Sequence, residues 1–137
     1  MNHWLMKSEP ESYSWDQLVA DKRTNWSGVR NHAAALNLKA MKKGDRAFFY
    51  HSGEERAVVG ICEIVKEAYP DPGDPAGRFV QVDVTAIEPV PKPVTLAAVK
   101  AEPKLGEMRL VKESRLSVSP VAAEAWALIC KMGGVKG

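Results

Sequence analysis

Apolar and polar residues alternate in two rhythms along this chain, one with a period of two and one with a helical period, and together they mark out short strands and short helices. Residues 3–7 (HWLMK) form a brief apolar run that ends at Ser8-Glu9-Pro10, where the proline biases Glu9 away from helix. Ser14 and Gln17 stand at the S-x-x-Q spacing of a capping box and predict a short helix through Leu18 and Ala20. Asn25-Trp26-Ser27-Gly28 reads as a loop in which Gly28 is free to take the positive φ that other residues avoid. Asn31 is placed to cap a second helix, HAAALNLKAM, which Lys43-Gly44-Asp45 stops. Residues 46–51 (RAFFYH) and 57–69 (AVVGICEIVKEAY) read as strands joined by the polar turn Ser52-Gly53-Glu54-Glu55, and Gly60 marks a bulge or a close backbone approach.

Further along, PDPGDPAG (residues 70–77) is a loop, and residues 79–87 alternate cleanly, with Val80, Val82 and Val84 on one face. Pro89, Pro91 and Pro93 are expected to end that strand. Thr95 is placed to cap a short helix, LAAVKA, and another strand is expected over residues 115–118. Ser119-Pro120 has the form of a helix entry, and Val121, Ala125, Leu128, Ile129 and Met132 carry a helical repeat that stops at Gly133. About five strands with short helices in their connections, and no regular βαβ alternation, predict an α+β domain or a small β-barrel dressed with helices.

Composition narrows the class. With 137 residues, 45% hydrophobic and 26% charged, the chain is long enough to bury a core and too balanced for disorder or a membrane protein. Nineteen Lys and Arg against 17 Asp and Glu leave a net charge of +2, which excludes a polybasic binder but leaves room for a local basic groove. Cys62 and Cys130 cannot build a disulfide framework, and neither has a Cys or His neighbour at metal-ligand spacing. The chain opens on no secretory signal, and no apolar run approaches the roughly 20 residues that span a bilayer. The expectation is one soluble, cytoplasmic, monomeric domain over residues 1–137, with reduced thiols, no metal and no cofactor.

Candidate chemistry is sparse. No H-E-x-x-H, G-x-S-x-G, P-loop or G-x-G-x-x-G occurs, and His3, His32 and His51 lie on separate elements. An enzyme acting on a small nucleotide would rest on His51 as general base, with Lys7 or Arg30 holding an anion; a structural role suits His51 better. Cys62, inside an apolar strand, reads as an inert thiol. Residues 25–31 (NWSGVRN) combine an indole, a glycine, a guanidinium and a capping amide. A planar heterocycle stacked on Trp26, read by Asn31, with its phosphate met by Arg30 or Lys7, is one reading. Trp26 as a core plug, with Arg30 in a structural ion pair, is the other, and composition alone leans slightly towards it. Trp4 and Trp126 fit core faces, whereas Trp15 reads as a surface residue. A partner-binding module using an exposed apolar patch is a third class.

Six segments also resemble a known family: WLMKSEP from Trp4, WSGVRN from Trp26, MKKGD from Met41, FYHS from Phe49, YPDP from Tyr69 and RLSVSP from Arg115. In this order they resemble the EVE domain family, over residues 4 to about 133, and no single segment would suffice. The resemblance implies a PUA-like fold, a small curved β-barrel of five or six strands with short peripheral helices, related to the ASCH and YTH domains and to thymocyte nuclear protein. It implies a non-enzymatic module that binds nucleic acid and recognises a modified base, such as 5-methyl- or 5-hydroxymethylcytosine, flipped into a pocket; DNA and RNA both stay open. Carried over by motif, the pocket residues are Lys7 and Ser8, then Trp26, Val29, Arg30 and Asn31, then Tyr50, His51 and Ser52, and finally Leu116 and Ser117. After Asn31 the family usually has an aromatic and then Gln, where this chain has His32-Ala33.

The energetics of such a module are bounded. Extruding a base costs a few kcal/mol, least for one already single-stranded. Stacking on an aromatic returns about 1–3 kcal/mol, and a single methyl is worth only about 1 kcal/mol in an apolar pocket. A net charge of +2 predicts few phosphate contacts and a shallow salt dependence.

Overall fold

The structure is a computed structural model that describes residues 2–135. In chain order the elements are β1 (His3–Ser8), α1 (Trp15–Asp21), β2 (Arg23–Trp26), α2 (His32–Ala40), β3 (Arg46–His51), β4 (Ala57–Pro70), β5 (Val80–Thr95) and α3 (Leu96–Ala101). A 3-10 turn (Pro103–Leu105), α4 (Arg109–Lys112), β6 (Val118–Val121) and α5 (Ala123–Met132) follow. The strands form one mixed sheet in the order β2-β5-β4-β3-β1-β6. Only β1 and β3 are parallel, with Lys7 opposite Tyr50 and Ser8 opposite His51. The sheet does not close, so the barrel is a loose one with β2 and β6 as edges. Helix α2 packs against β6, β5 and β4, and its Asn37 amide donates to the Val118 carbonyl at 2.6 Å.

Both faces of the sheet are covered. Trp4, Met6, Ala47, Phe49, Cys62 and Ile64 pack with α1 and α2 on one face. Leu5, Phe48, Tyr50, Val58 and Ile61 pack with α3, α4 and α5 on the other. Successive residues of a strand point to opposite faces, so β1 and β3 are buried runs without polar alternation. Among the described residues one buried side-chain polar atom, Arg46 Nε, has no hydrogen-bond partner, whereas the carboxylate beside it in sequence is fully paired. Asp45, buried, accepts from the Trp4 indole N–H at 3.0 Å and from the amides of Lys42 (3.0 Å) and Asn2 (3.1 Å). Burial alone would raise its pKa; these hydrogen bonds outweigh that and hold the carboxyl below its ordinary value. Cys62 is fully buried, and its burial pushes the thiol up to about 12, which leaves it protonated and inert.

Local signals predict the helices well. Ser14 and Gln17 form both bonds of the capping box. Asn31 Oδ1 accepts from Ala34 N at 2.9 Å, and Thr95 Oγ1 accepts from Ala98 N at 3.1 Å. Four expectations change. Trp26 lies on a strand, β2, because residues 23–26 pair with β5. β5 runs on through Pro89, Pro91 and Pro93 to Thr95. Proline's fixed φ suits extended backbone, and the alternate spacing puts all three missing N–H groups on one side, where the register with β4 is already broken between Val58 and Gly60. Ser119-Pro120 belongs to β6 instead of opening a helix, since a proline is tolerated on an edge strand; of the expected 115–118 strand only Val118 is in β6, and residues 115–117 form the turn that leads into it.

Trp15 is the fourth. It is buried, with its ring edge-on to Phe49 at 5.6 Å between centroids, and it lies directly over Gly60. A β-carbon on Gly60 would come within 2.4 Å of the Trp15 ring. Gly60 is thus a place where side chain and backbone approach too closely for any other residue. Gly60→Ala is expected to lower stability by about 1–3 kcal/mol through overpacking, read as a fall in the urea midpoint at unchanged m-value; an unaltered midpoint would mean that the indole has room to move.

Candidate functional site

The buried run of β1 ends at Lys7 and Ser8, and there the two faces of the sheet open into clefts. On the α1 side, an open cleft of about 430 Å³ is lined by Lys7, Ser8, Glu9, Ser12 and Tyr13 and by Thr24, Asn25, Trp26 and Ser27 of β2 and its exit. Its walls combine two aromatic rings with hydroxyl, amide, ammonium and carboxylate groups, the mixture of flat apolar surface and a few polar groups that small-molecule sites use. Trp26 is only 8% exposed and packs edge-on to Phe49 at 5.4 Å, so it is a fixed wall and not a protruding platform. The Ser8 hydroxyl donates to the Tyr13 carbonyl, which holds the 9–13 loop against β1, and the Tyr13 hydroxyl donates to Asp21 at the end of α1 at 2.8 Å. Asn25 is braced by its amide donating to Gln81 at 2.9 Å. Lys7 Nζ donates to the Ser114 carbonyl at 2.7 Å, and burial lowers its pKa. Burial also raises the Tyr13 phenol.

On the opposite face a second cleft, about 370 Å³, is lined by Lys7, Tyr50, Ser52, Gly53, Arg56, Leu96, Lys100, Leu110 and Ser114. A third, of about 400 Å³, takes in Asn31, Ala33, Leu116 and residues 112–115. The motif residues therefore divide. Lys7, Ser8 and Trp26 meet in the first cleft; Tyr50 and Ser52 join Lys7 in the second; Asn31 and Leu116 line the third; Val29, Arg30, His51 and Ser117 line none of the three.

Several motif residues have structural partners. Asn31 caps α2. Arg30 Nη1 lies 3.0 Å from Asp71 Oδ2, with its guanidinium 5.3 Å from the Phe79 ring centroid. The same Asp71 oxygen accepts from Gly28 N at 2.9 Å, and the other accepts from Gly73 N at 2.8 Å. The WSGVRN and YPDP segments are thus fastened to each other, and Gly28, at φ +80°, supplies the left-handed residue that turns its N–H towards the carboxylate. His51 Nε2 accepts from Trp15 N at 3.0 Å, and Nδ1 faces Glu55 at 2.6 Å, so both ring nitrogens are engaged and neither points into a cleft as a base. Val29 is buried in the core and Ser117 receives Lys7 N on its carbonyl at 2.9 Å.

Sequence reading did not single out Glu9, Ser12, Tyr13, Thr24, Asn25 or Ser27 as lining residues. Tyr13 had a signal, since it stands in the segment that follows the WLMKSEP motif. The contribution of Thr24 and Asn25 depends on β2, which no periodicity announces. Among the described residues, no group of three or more His, Cys, Asp and Glu side chains is arranged to hold a metal ion, and no helix is long and apolar enough to cross a membrane.

An α+β, PUA-like domain with a polar and aromatic cleft at the end of its first strand is the class that these features define. The EVE domain profile matches residues 2–132, and the chain belongs to that family. Human thymocyte nuclear protein 1 is 34% identical over 165 residues, covering 96% of this chain and 73% of its own. The crystal structure of human THYN1 in complex with DNA containing 5-methylcytosine matches at 33% identity and a TM-score of 0.93, with 100% of each chain covered. The NMR structure of Rpa0253 from Rhodopseudomonas palustris is 60% identical with a TM-score of 0.93, covering 98% of this chain and 94% of that one. A YTH domain from Zygosaccharomyces rouxii, at 16% identity and a TM-score of 0.62 over 96% of this chain and 86% of its own, shares the fold.

The Asp71 clasp makes a pH prediction. The Gly28 amide, followed by Arg30 and Gly73, holds its carboxyl below the ordinary 3.8 despite burial. A depressed folded-state pKa gives stability that is complete above the unfolded value and is lost as pH falls through the folded one. Arg30 is half-exposed, so its Coulombic share is small and the buried amide bonds dominate. Asp71→Asn is expected to cost about 1–2 kcal/mol at pH 7, with the gap to wild type narrowing as pH falls below 3.8; thermal unfolding across that range measures it, and a pH-independent gap would sink the assignment.

Proposed function

We propose that this protein is a non-catalytic reader of a modified base in nucleic acid, and that the cleft between Lys7, Ser8, Tyr13 and Trp26 receives the extruded base. The observation that carries the reading is the coincidence of an aromatic-walled, hydroxyl-lined cleft with a family relative, human THYN1, solved in complex with 5-methylcytosine DNA at a TM-score of 0.93. In this reading Trp26 and Tyr13 supply flat apolar walls, while Ser12 and Asn25 offer donors and acceptors to the base edge. A wrong base would leave such groups unpaired, and unpaired groups in a desolvated cleft are what make recognition selective. The engaged nitrogens of His51 weigh against the alternative of a small-nucleotide enzyme built on that residue.

The test is a titration of labelled single-stranded DNA and RNA, each with cytosine unmodified, 5-methylated or 5-hydroxymethylated, followed by anisotropy. Wild type is expected to prefer a modified strand by about fivefold, the value of one buried methyl. Trp26→Ala is expected to weaken binding by about 10- to 100-fold, the loss of one stacked base. Because Trp26 packs on Phe49, Trp26→Phe accompanies it as a variant that keeps the core filled and is expected to lose less. Equal affinity for every strand, or unchanged binding in a folded Trp26→Ala protein, would overturn the reading.

A further inference from the structure

The second cleft has a composition unlike the first. Its lining holds three cations, Lys7, Arg56 and Lys100, and no carboxylate, whereas the base cleft holds one cation and the carboxylate of Glu9. Among the described residues none of these three cations is in a salt bridge, and two acids adjacent in sequence to lining residues are paired elsewhere: Glu55 faces His51 at 2.6 Å, and Glu113 pairs with Arg109 at 3.0 Å. The cleft is also built. Arg56 stands at φ +45°, a conformation that non-glycine residues rarely hold, and is fixed there by its Nε donating to the Gly53 carbonyl at 3.0 Å and its own carbonyl accepting from Leu96 N at 2.8 Å. Those bonds leave the terminal guanidinium nitrogens available. Lys7 belongs to both clefts, 5.9 Å over the Tyr50 ring on one side and beside Ser8 on the other.

We infer that the cleft of Lys7, Arg56 and Lys100 binds the backbone phosphate flanking the base held in the first cleft. This rests on the base-reader reading above and adds the part of the ligand that reading leaves unplaced. A phosphate is repelled from the base cleft by Glu9 and finds uncompensated positive charge one side chain away. Arg30, the cation that the sequence offered for this task, is committed to Asp71. Lys7, partly withdrawn from water, regains a charged partner when the phosphate arrives.

Salt dependence of binding reads the contact directly. With a single strand, each neutralised phosphate contributes about −0.7 to the slope of log K against log salt, so the one phosphate held by this cleft contributes about −0.7. The double variant Arg56→Gln/Lys100→Gln is expected to remove most of that contribution of about −0.7 while the ratio of modified to unmodified affinity stays that of wild type. Lys39→Gln/Lys131→Gln removes the same charge from residues that line neither cleft and is expected to leave the slope nearly unaltered. Arg56→Lys/Lys100→Arg keeps the charge and is expected to keep the slope, which separates loss of contact from loss of fold. A neutral methylphosphonate linkage next to the modified cytosine is expected to reduce the slope in wild type and to do nothing further in the Gln double variant.

A modified-base preference in wild type together with an unchanged slope in the Gln double variant would overturn this inference and leave the base reading standing. A reduced slope with no preference for any modified strand would overturn the base reading and, with it, the placement of the phosphate beside a held base. A reduced slope in the variant but no response to the methylphosphonate would show that the bound phosphate is not the flanking one, and would overturn the inference as well.

Discussion

Burial of β1 and β3 on both faces is the constraint on which the rest of the molecule depends. Trp4, Leu5 and Met6 are consecutive and all buried, as are Ala47, Phe48, Phe49 and Tyr50. A parallel pair covered by helices on each side leaves no sheet surface for polar chemistry, so functional groups collect where the strands run out of cover. Lys7 and Ser8 are that point on β1. Because they are adjacent they face opposite sides of the sheet, and one strand end therefore opens into two clefts of different character.

The polar residues that look most chemical in the sequence hold the frame of these clefts. His51 receives the first amide of α1 and so orients the helix that carries Trp15 over Gly60. Asp71 gathers the Gly28 amide, the Gly73 amide and the Arg30 guanidinium, which positions the chain leaving β2 just beyond Trp26. Asn31 starts α2, the helix that lies against β6, β5 and β4 where the sheet fails to close. His51 and Asp71 are buried and satisfied, exposed Asn31 is satisfied by its cap, and satisfied groups lock geometry more effectively than they perform reactions. The side chains left with spare hydrogen-bonding capacity are the plainer ones at the cleft walls.

Legibility followed the range of the interaction. Caps at Ser14, Asn31 and Thr95 involve residues a few positions apart, so sequence alone places them. The apolar runs of β1, β3 and β4 are just as readable, and so is the family to which six ordered segments belong. β2 was not readable, because Arg23-Thr24-Asn25-Trp26 has no strand pattern and becomes a strand only by pairing with β5. Trp15 looked exposed because its cover, Gly60, lies far along the chain. The motif residues were found as a set, but a set says nothing about which members face one another: Trp26 meets Lys7 and Ser8, while Tyr50 faces the other side.

The chain's own sequence therefore determined its class, its helix starts, its inert thiols and the residue types from which a base and a phosphate could be held. The tertiary structure decided which of those residues are spent on holding the fold and which remain at the cleft walls. The reason is physical. Capping and periodicity act over a few residues, whereas the partner that satisfies Arg30 or His51, and the ring that fills the space over Gly60, arrive only when distant strands and loops are brought together.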